Sequence, residues 1–151
     1  MPIKSFKGQI IDNGIDTVVL HTNTGSTGYK IVKLEVFPVT PGAANVENVL
    51  QIFSVPQSGT TSATPDFNDN TLLGAAYFID NGSSAVPTTQ TISFDNQVFN
   101  QDIYITQRDI ANATPGNGSA LNYYIELEQI KLDLTENTVA TLKDIRNIEA
   151  Q

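Results

Sequence analysis

Paired carboxylates are the first candidates for chemistry in this chain of 151 residues. Glu126 and Glu128 stand two positions apart in a run of alternating polar and apolar residues. In a β-strand this spacing places both carboxylates on one face, about 7 Å apart. Two carboxylates at such a separation could act as acid and base on a glycosidic bond. With Tyr124 they are also typical of the solvent-exposed face of a half-buried strand, and this interpretation is favoured.

An oxygen-rich turn from Asp66 to Asn70 is the second candidate, because oxygen ligands at alternate positions suit a hard cation such as Ca²⁺. The pattern then departs from a calcium loop. Thr71 stands where a glycine would make the turn, and Tyr77 stands where a bidentate acid would close the ligand shell. We therefore expect a polar turn whose Asx side chains bond to their own backbone, without metal or cofactor.

His21 is the only histidine, and the chain has no Cys and no Trp. A Ser-His-Asp triad would depend on that one imidazole, and no second metal ligand lies near it in sequence. The segment Gly25–Gly28 lacks the lysine of a phosphate-binding loop, so it is predicted to be a turn. No catalytic residue is predicted, and we expect the protein not to be an enzyme.

Tyrosine side chains could offer a stacking platform for sugars. The alternative is that they pack within strands and keep their hydroxyl groups at the rim. The tyrosines concerned are Tyr29, Tyr77, Tyr104, Tyr123 and Tyr124.

Composition restricts the fold before any motif is considered. Charged residues make up 16% of the chain, against a usual share of about 25%, which excludes a coiled coil or a helical bundle rich in Glu and Lys. The length suits a single domain over residues 1–151. No apolar run approaches the roughly 18 residues of a membrane helix, and the opening residues lack the apolar part of a secretory signal.

The charge distribution is uneven. The net charge is −8, and no Lys or Arg occurs between Lys33 and Arg108. Such a surface repels phosphate, so neither nucleic acid nor an anionic membrane is expected as a partner. The bases near the two ends could dock on an acidic neighbour while the middle faces solvent. Chance scatter of eight bases is the alternative.

Alternation of apolar and polar residues predicts an all-β chain. We expect Tyr29–Val39, with Val32, Leu34 and Val36 on one face, to form a hairpin with Asn48–Val55. A phase change after Gln129 indicates a bulge or bend, where the strand could pass to another sheet. The other predicted strands are Asp16–Thr22, Leu72–Asp80, Thr89–Phe94, Val98–Arg108 and Asn122–Leu134. Together these strands predict an antiparallel β-sandwich, jelly-roll-like in topology.

The segment 135–151 has a different pattern. Its apolar residues Val139, Leu142, Ile145 and Ile148 recur every three positions, and Thr135 could cap a helix that begins before Glu136. This pattern predicts a short C-terminal helix, or alternatively an extended arm that lies on a neighbour.

Three stretches carry a resemblance to a known class of proteins. The segments 1–12, 94–109 and 122–151 are similar to small virion structural proteins of tailed bacteriophages, particularly phages of marine cyanobacteria. The resemblance implies a virion component present in many copies, and it supplies no catalytic or binding residues.

We therefore expect a decoration or cement protein on the capsid surface. It would bind the phage major capsid protein or another virion protein as a symmetric homo-oligomer, with a trimer favoured. The expected contacts lie at both ends of the chain and are Lys4, Phe6, Lys7, Leu132, Leu134, Val139, Leu142, Ile145 and Ile148.

Two other functions stay open. A tail- or fibre-associated adhesion module would bind a host glycan through the loops Gln57–Asn70, Ser83–Thr88 and Asn112–Ser119. A carbohydrate-active enzyme would use Glu126 and Glu128 as its catalytic pair.

Overall fold

Eight β-strands make up the regular structure in the part of the chain that the computed structural model describes, residues 2–22, 25–41, 45–80, 88–94 and 97–132. They are β1 (Ile3–Ile10), β2 (Gly14–Val18), β3 (Thr27–Pro38), β4 (Val46–Phe53), β5 (Leu72–Asp80), β6 (Thr88–Ser93), β7 (Ile103–Asp109) and β8 (Leu121–Lys131). Within these ranges no helix is long and apolar enough to cross a membrane.

The strands form two antiparallel sheets, one of three strands in the order β1-β8-β3 and one of five in the order β2-β7-β4-β5-β6. The ladders β1–β8, β2–β7 and β4–β5 are nested along the chain, as in a long hairpin folded over itself. β3 and β6, the remaining pair of such a hairpin, are in contact, although the ladder of β6 is with β5. This nesting is the jelly-roll arrangement, and the predicted β-sandwich is confirmed.

The core lies between the two sheets. Leu50, Ile52 and Ile105 from the five-stranded sheet and Ile125 and Leu127 from β8 are completely buried there. Leu50 and Ile52 of β4 are two positions apart, as are Ile125 and Leu127 of β8, because successive side chains of a strand point to opposite faces. The alternation of apolar and polar residues in these strands therefore corresponds to side chains that face the core and side chains that face away from it.

The hairpin predicted from Tyr29–Val39 and Asn48–Val55 is wrong. β3 pairs with β8 in the three-stranded sheet, whereas β4 pairs with β5 and β7 in the other sheet. Pro38 and Pro41 lie where the chain leaves β3, and a proline lacks the N–H group that a continuing ladder would use. The chain thus passes from one sheet to the other between these two strands.

The prediction that Val32 shares an apolar face with Leu34 and Val36 is also wrong. The register shifts between Ile31 and Lys33, so Val32 is the extra residue of a bulge and is 40% exposed. Ile31 takes its place in the core. A bulge moves one residue out of the alternation, which is why the simple period fails here.

The predicted phase change in the last strand is present. Ile125 and Leu127 face the core, and beyond Gln129 the buried position is Leu132. β8 nevertheless stays in the three-stranded sheet as far as Lys131. Leu134 and the helix or arm predicted over 135–151 lie outside the described residues.

The strand predicted over Val98–Arg108 begins only at Ile103. Phe99 instead exchanges two backbone hydrogen bonds with Tyr29 of β3, at 2.7 and 2.9 Å. This bridge attaches the segment before β7 to the three-stranded sheet and closes that side of the sandwich.

Truncation of Ile125 to Ala should lower the free energy of unfolding by about 2–5 kcal/mol, because the side chain is completely buried between the sheets. Urea unfolding followed by circular dichroism measures the change. Ile3 is 50% exposed, so Ile3→Ala is the matched control and should change stability by less than about 0.5 kcal/mol. Equal losses in the two variants would contradict this assignment of the core.

Candidate functional site

A buried carboxylate, Asp12, organises one end of the sandwich. It lies between β1 and β2, and its side chain is fully buried. Its oxygens accept hydrogen bonds from the Arg108 guanidinium at 3.1 and 3.3 Å and from the backbone N–H of Asp109 at 2.7 Å. The N–H groups of Gly116 and Gly118 donate to it at 2.8 and 3.0 Å. Asp12 therefore ties the β1–β2 turn to the end of β7 and to the loop before β8.

The same contacts keep Asp12 ionised. Burial alone would raise the pKa of its carboxyl. The backbone donors of Asp109, Gly118 and Gly116, together with the charge of Arg108, favour the ionised form and bring the pKa below its ordinary value of 3.8. The carboxylate and the guanidinium thus remain a charged pair at neutral pH.

A second carboxylate, Asp109, holds the other side of the same loop. Its oxygens accept hydrogen bonds from the N–H groups of Glu47, Ala111 and Ser119, at 3.0, 3.1 and 2.8 Å. Gly118 permits the close approach, since a Cβ at that position would lie 2.6 Å from the Cβ of Asp109. The candidate binding loop Asn112–Ser119 is therefore fastened from both sides by buried side chains.

The candidate loop Gln57–Asn70 crosses the outer face of the five-stranded sheet. Thr61 donates its hydroxyl to the carbonyl oxygen of Gln107 at 3.1 Å, and its N–H to Asn13 Oδ1 at 2.8 Å. Gln51 of β4 donates to the carbonyl oxygen of Ser62 at 2.9 Å. The loop buries Gln51 in this way, so the outer face of this sheet is partly covered.

An apolar groove of about 620 Å³ runs between this loop and the sheet. No charged side chain lines it, and three of its residues are large and exposed, Phe67 at 59%, Ile92 at 44% and Ile110 at 40%. Its lining includes Ala63 and Pro65 from the loop, Val49, Ala75 and Tyr77 from the central strands, and Gln90 and Thr91 from β6. We refer to it below as the neutral groove.

Tyr77 in the wall of the neutral groove is fixed by an acid. Its hydroxyl donates to Glu47 Oε2 at 2.5 Å. This hydrogen bond, with burial and the charge of Glu47, raises the pKa of Tyr77 to about 12. The phenol therefore stays neutral at physiological pH, and the groove gains no charge from it.

The outer face of the three-stranded sheet has a different character. Glu126 and Glu128 share this face, as their spacing predicts, and each has a partner. The hydroxyl of Tyr124 donates to Glu126 at 2.7 Å, and Lys30 Nζ lies 3.5 Å from Glu128. Lys33 is opposite Glu126 in the ladder. These contacts are typical of cross-strand pairing on an exposed face.

A shallow cleft of about 470 Å³ crosses the same face. Phe37, which is 62% exposed, lies there beside Tyr124 and Asn122. Lys7 and Glu35 bring one charge of each sign to the cleft. An exposed aromatic ring next to amide and charged groups can bind a ligand that has both an apolar face and hydroxyl groups.

His21 pairs with an acid that is distant in sequence. Its Nδ1 is 2.7 Å from Asp102 Oδ1, and the N–H groups of Leu20 and His21 donate to the same oxygen. Burial would raise the pKa of Asp102, but these hydrogen bonds and the nearby imidazole lower it. The carboxylate therefore fastens the end of the segment after β2 to the segment before β7.

The polar turn predicted at Asp66–Asn70 is confirmed. Asp66 Oδ1 accepts the N–H of Asn68 at 2.9 Å, and Asp69 Oδ1 accepts the N–H of Thr71 at 2.8 Å. Both are Asx turns. Across the described ranges, no three His, Asp or Glu side chains lie close enough together to hold a metal ion.

The tyrosines do not form one platform. Tyr29 stacks on Phe99 inside the sandwich, with ring centroids 6.3 Å apart. Tyr123 is buried, and its burial and its hydrogen bond to Asp16 raise its pKa to about 12. Tyr77 and Tyr124 lie on the outer faces of different sheets.

The expected contact residues have different environments. Lys4 and Lys7 are on the edge strand β1, whereas Phe6 packs partly against the core. Leu132 is buried, and its side chain approaches Gly28. Leu134, Val139, Leu142, Ile145 and Ile148 lie outside the described residues, so their role as contacts stays a prediction.

Replacing Asp12 by Asn should lower the free energy of unfolding by about 3–5 kcal/mol, because Arg108 would keep its buried charge without a carboxylate. Urea unfolding at pH 7 measures the loss. Glu35→Gln is the control, since the side chain of Glu35 is 62% exposed and its nearest cation, Lys33, is 3.7 Å away. A loss as small as that of the control would show that the buried pair is not essential.

The pH dependence of stability should report the same carboxylate. The pKa of Asp12 is lower in the folded chain than its ordinary value of 3.8, so its contribution is complete above that value and is lost as the pH falls through the folded pKa. Unfolding free energies measured from pH 7 down to about pH 3 should therefore decline below about pH 5. In Asp12→Asn the decline should be shallower, and an unchanged decline would contradict the assignment.

No protein-family model matches the chain, and a search of curated proteins finds none that is significantly similar. The similarity to phage virion proteins therefore stays a prediction, and a function has to be inferred from the fold and the surfaces of the chain itself.

Proposed function

We propose that this protein is a non-catalytic structural component of a tailed-phage virion. It decorates or cements the capsid surface as a symmetric oligomer, bound to the major capsid protein or another virion protein. The docking surface in this proposal is the three-stranded sheet.

The distribution of charge in space supports this assignment. In the described ranges every lysine lies on the three-stranded sheet, whose strands carry five lysines and three glutamates. These lysines are Lys4, Lys7, Lys30, Lys33 and Lys131. The strands of the other sheet have only Arg108 as a base, and it is buried against Asp12. The strands of the three-stranded sheet therefore carry a net charge of +2 in a molecule whose net charge is −8, so this sheet is better suited than the other to an acidic neighbour.

Such a face contributes more to the selectivity of binding than to its affinity. A single exposed ion pair contributes about 0–1 kcal/mol, and opposite charges mainly guide two surfaces into contact. Weak contacts become effective when many copies bind one particle and each copy binds at several points. A basic face of this kind therefore suits a protein that covers a repetitive surface.

The hydrogen bonds that several acidic side chains accept are consistent with a structural protein. Asp12, Asp109 and Asp102 all accept backbone hydrogen bonds from other segments, and Glu47 holds the hydroxyl of Tyr77. These carboxylates fasten loops and strands to one another. Such cross-segment hydrogen bonds suit a protein that works through its surfaces.

Adhesion to a host glycan is the second candidate, and the cleft beside Phe37 favours it. That cleft combines an exposed ring with the side chains of Asn122, Lys7 and Glu35. The loops Gln57–Asn70 and Asn112–Ser119 offer less support, because the first lines an apolar groove and the second is fastened by Asp12 and Asp109. The third predicted loop, Ser83–Thr88, lies outside the described residues except for Thr88.

Neutralising the basic face tests the first function. The triple variant Lys7→Gln, Lys30→Gln, Lys33→Gln changes the lysines on the outer face of the three-stranded sheet. It should bind purified capsids about tenfold more weakly in a co-sedimentation assay, since three such pairs together contribute about 1.4 kcal/mol. The matched control replaces the same lysines by Arg, which keeps the charge, and it should bind like the parent. Binding of the parent should also weaken as salt is raised.

Capsid binding that survives the triple Gln substitution, or that ignores salt, would contradict the proposal. Loss of glycan-array binding in Phe37→Ala, with capsid binding absent in the parent, would favour the adhesion module instead.

A further inference from the structure

Asn-Gly pairs are the most labile peptide units of this chain. The sequence contains three of them, Asn13-Gly14, Asn81-Gly82 and Asn117-Gly118. Asn81-Gly82 lies outside the described residues. In such a pair the glycine nitrogen loses its proton and attacks the side-chain carbonyl carbon of the asparagine. Ammonia leaves with that proton, a five-membered imide ring forms, and water opens the ring to aspartate or isoaspartate. Glycine favours the attack because it has no side chain to hinder it.

Packing fixes glycine at both described pairs. A Cβ at position 14 would lie 2.8 Å from the carbonyl oxygen of Ile11. A Cβ at position 118 would lie 2.6 Å from the Cβ of Asp109. A larger residue at either position would therefore require its neighbours to shift. The fold retains both labile pairs, so their lifetime depends on the hydrogen bonds around them.

The Gly118 nitrogen is bound to Asp12. Its N–H donates to Asp12 Oδ2 at 3.0 Å, and that carboxylate is fully buried. The backbone of Asn117 is held as well, since its N–H donates to Thr114 at 3.2 Å and its carbonyl oxygen accepts from Asn112 at 3.1 Å. Attack on the side chain of Asn117 requires the Gly118 nitrogen to turn away from Asp12 and to lose its proton. The carboxylate opposes loss of the proton, because it disfavours a second negative charge beside it.

Asn13-Gly14 is protected in a different way. Gly14 donates its N–H to the carbonyl oxygen of Ile11 at 3.0 Å. Asn13 Oδ1, which belongs to the group that would be attacked, accepts hydrogen bonds from the N–H and the hydroxyl of Thr61 at 2.8 and 3.2 Å. An opening that releases only Gly14 therefore leaves the attacked group in place. Asn117 is the pair whose protection depends on Asp12.

We infer that Asn117 is a deamidation site that Asp12 keeps closed in the folded chain. Each opening that separates Gly118 from Asp12 exposes the site to reaction, in which one ammonia is exchanged for one water. Isoaspartate lengthens the backbone by one carbon, and either product adds a negative charge to a loop already held by Asp12 and Asp109. The lengthened loop no longer matches its contacts with Asp12, so the reaction makes a transient opening permanent.

Mass spectrometry of the full-length protein tests this site. After incubation at mildly alkaline pH, trypsin releases the peptide Asp109–Lys131, in which Asn117-Gly118 is the only Asn-Gly pair. In the folded parent, deamidation of Asn117 should be at least about tenfold slower than in the same protein in concentrated urea, because the reaction requires a local opening. Equal rates in the folded and unfolded chains would overturn the inference.

The variant Asp12→Asn separates the effect of the carboxylate from general protection by the fold. It should accelerate deamidation of Asn117 about tenfold relative to the folded parent, because a hydrogen bond to a neutral amide is weaker than one to a carboxylate. Ile125→Ala is the matched control, since a comparable loss of stability is expected from a side chain in the core between the sheets. Its rate should stay within about twofold of the parent, because a domain weakened by one core substitution remains mostly folded. Equal acceleration in both variants would overturn the role of Asp12.

Amide hydrogen exchange gives a second measurement, on the parent alone, which serves if Asp12→Asn does not fold. Exchange of the Gly118 amide, followed by NMR, requires the same separation from Asp12. Urea below the unfolding transition should therefore accelerate exchange at Gly118 and deamidation at Asn117 by the same factor. A Gly118 amide that exchanges as fast as in the unfolded chain would overturn the inference, and so would deamidation that does not follow the exchange. Both measurements use the purified chain, so their outcome is independent of capsid binding and of the proposed function.

Discussion

The buried pair of Asp12 and Arg108 is the interaction on which the rest of this structure depends. Asp12 lies where the chain leaves the three-stranded sheet for the other sheet, and its partner stands near the end of β7. An ion pair removed from water is tolerated only when its remaining hydrogen-bonding groups are satisfied. The N–H groups of Gly116 and Gly118 complete that shell, and they thereby position the loop that enters β8, the central strand of the lysine-bearing sheet.

Local sequence predicts those strands whose burial leaves a clear apolar pattern. β8 buries alternate residues in the core, so its apolar period is clear, whereas β4 and β5 are buried at nearly every position and are visible as short runs rich in apolar residues. β1 was not predicted, because it is an edge strand in which only Ile10 is fully buried, so its pattern of apolar residues is weak. The false hairpin of β3 with β4 has a different cause, since nearness along the chain favours pairing and only the long-range ladder with β8 decides against it.

The candidate site was harder to predict than the fold. Arg108 and Asp12 are 96 positions apart, and neither belongs to a motif that a single segment could show. The isolated position of Arg108, the one base between Lys33 and Lys131, was visible in the sequence, but nothing near it in the chain identified Asp12 as its partner. The uneven distribution of charge along the chain was also visible, but only the order of the strands in the sheets shows which charges lie near one another. β1 and β8 are the first and last of the described strands, and pairing them gathers lysines from distant parts of the sequence onto one sheet.

The nesting of the strands also sets the order in which the molecule can be completed. β4 and β5 are neighbours in the chain and can pair early, whereas β1 must wait for β8, the last of the described strands. Contacts between such distant segments slow folding. A ribosome-bound chain would therefore hold β1 unpaired until β8 has emerged, and the sheet that carries the lysines would form after the β4–β5 ladder. The proposed docking face does not exist before β8 has been synthesised, so a shorter nascent chain could not assemble through it.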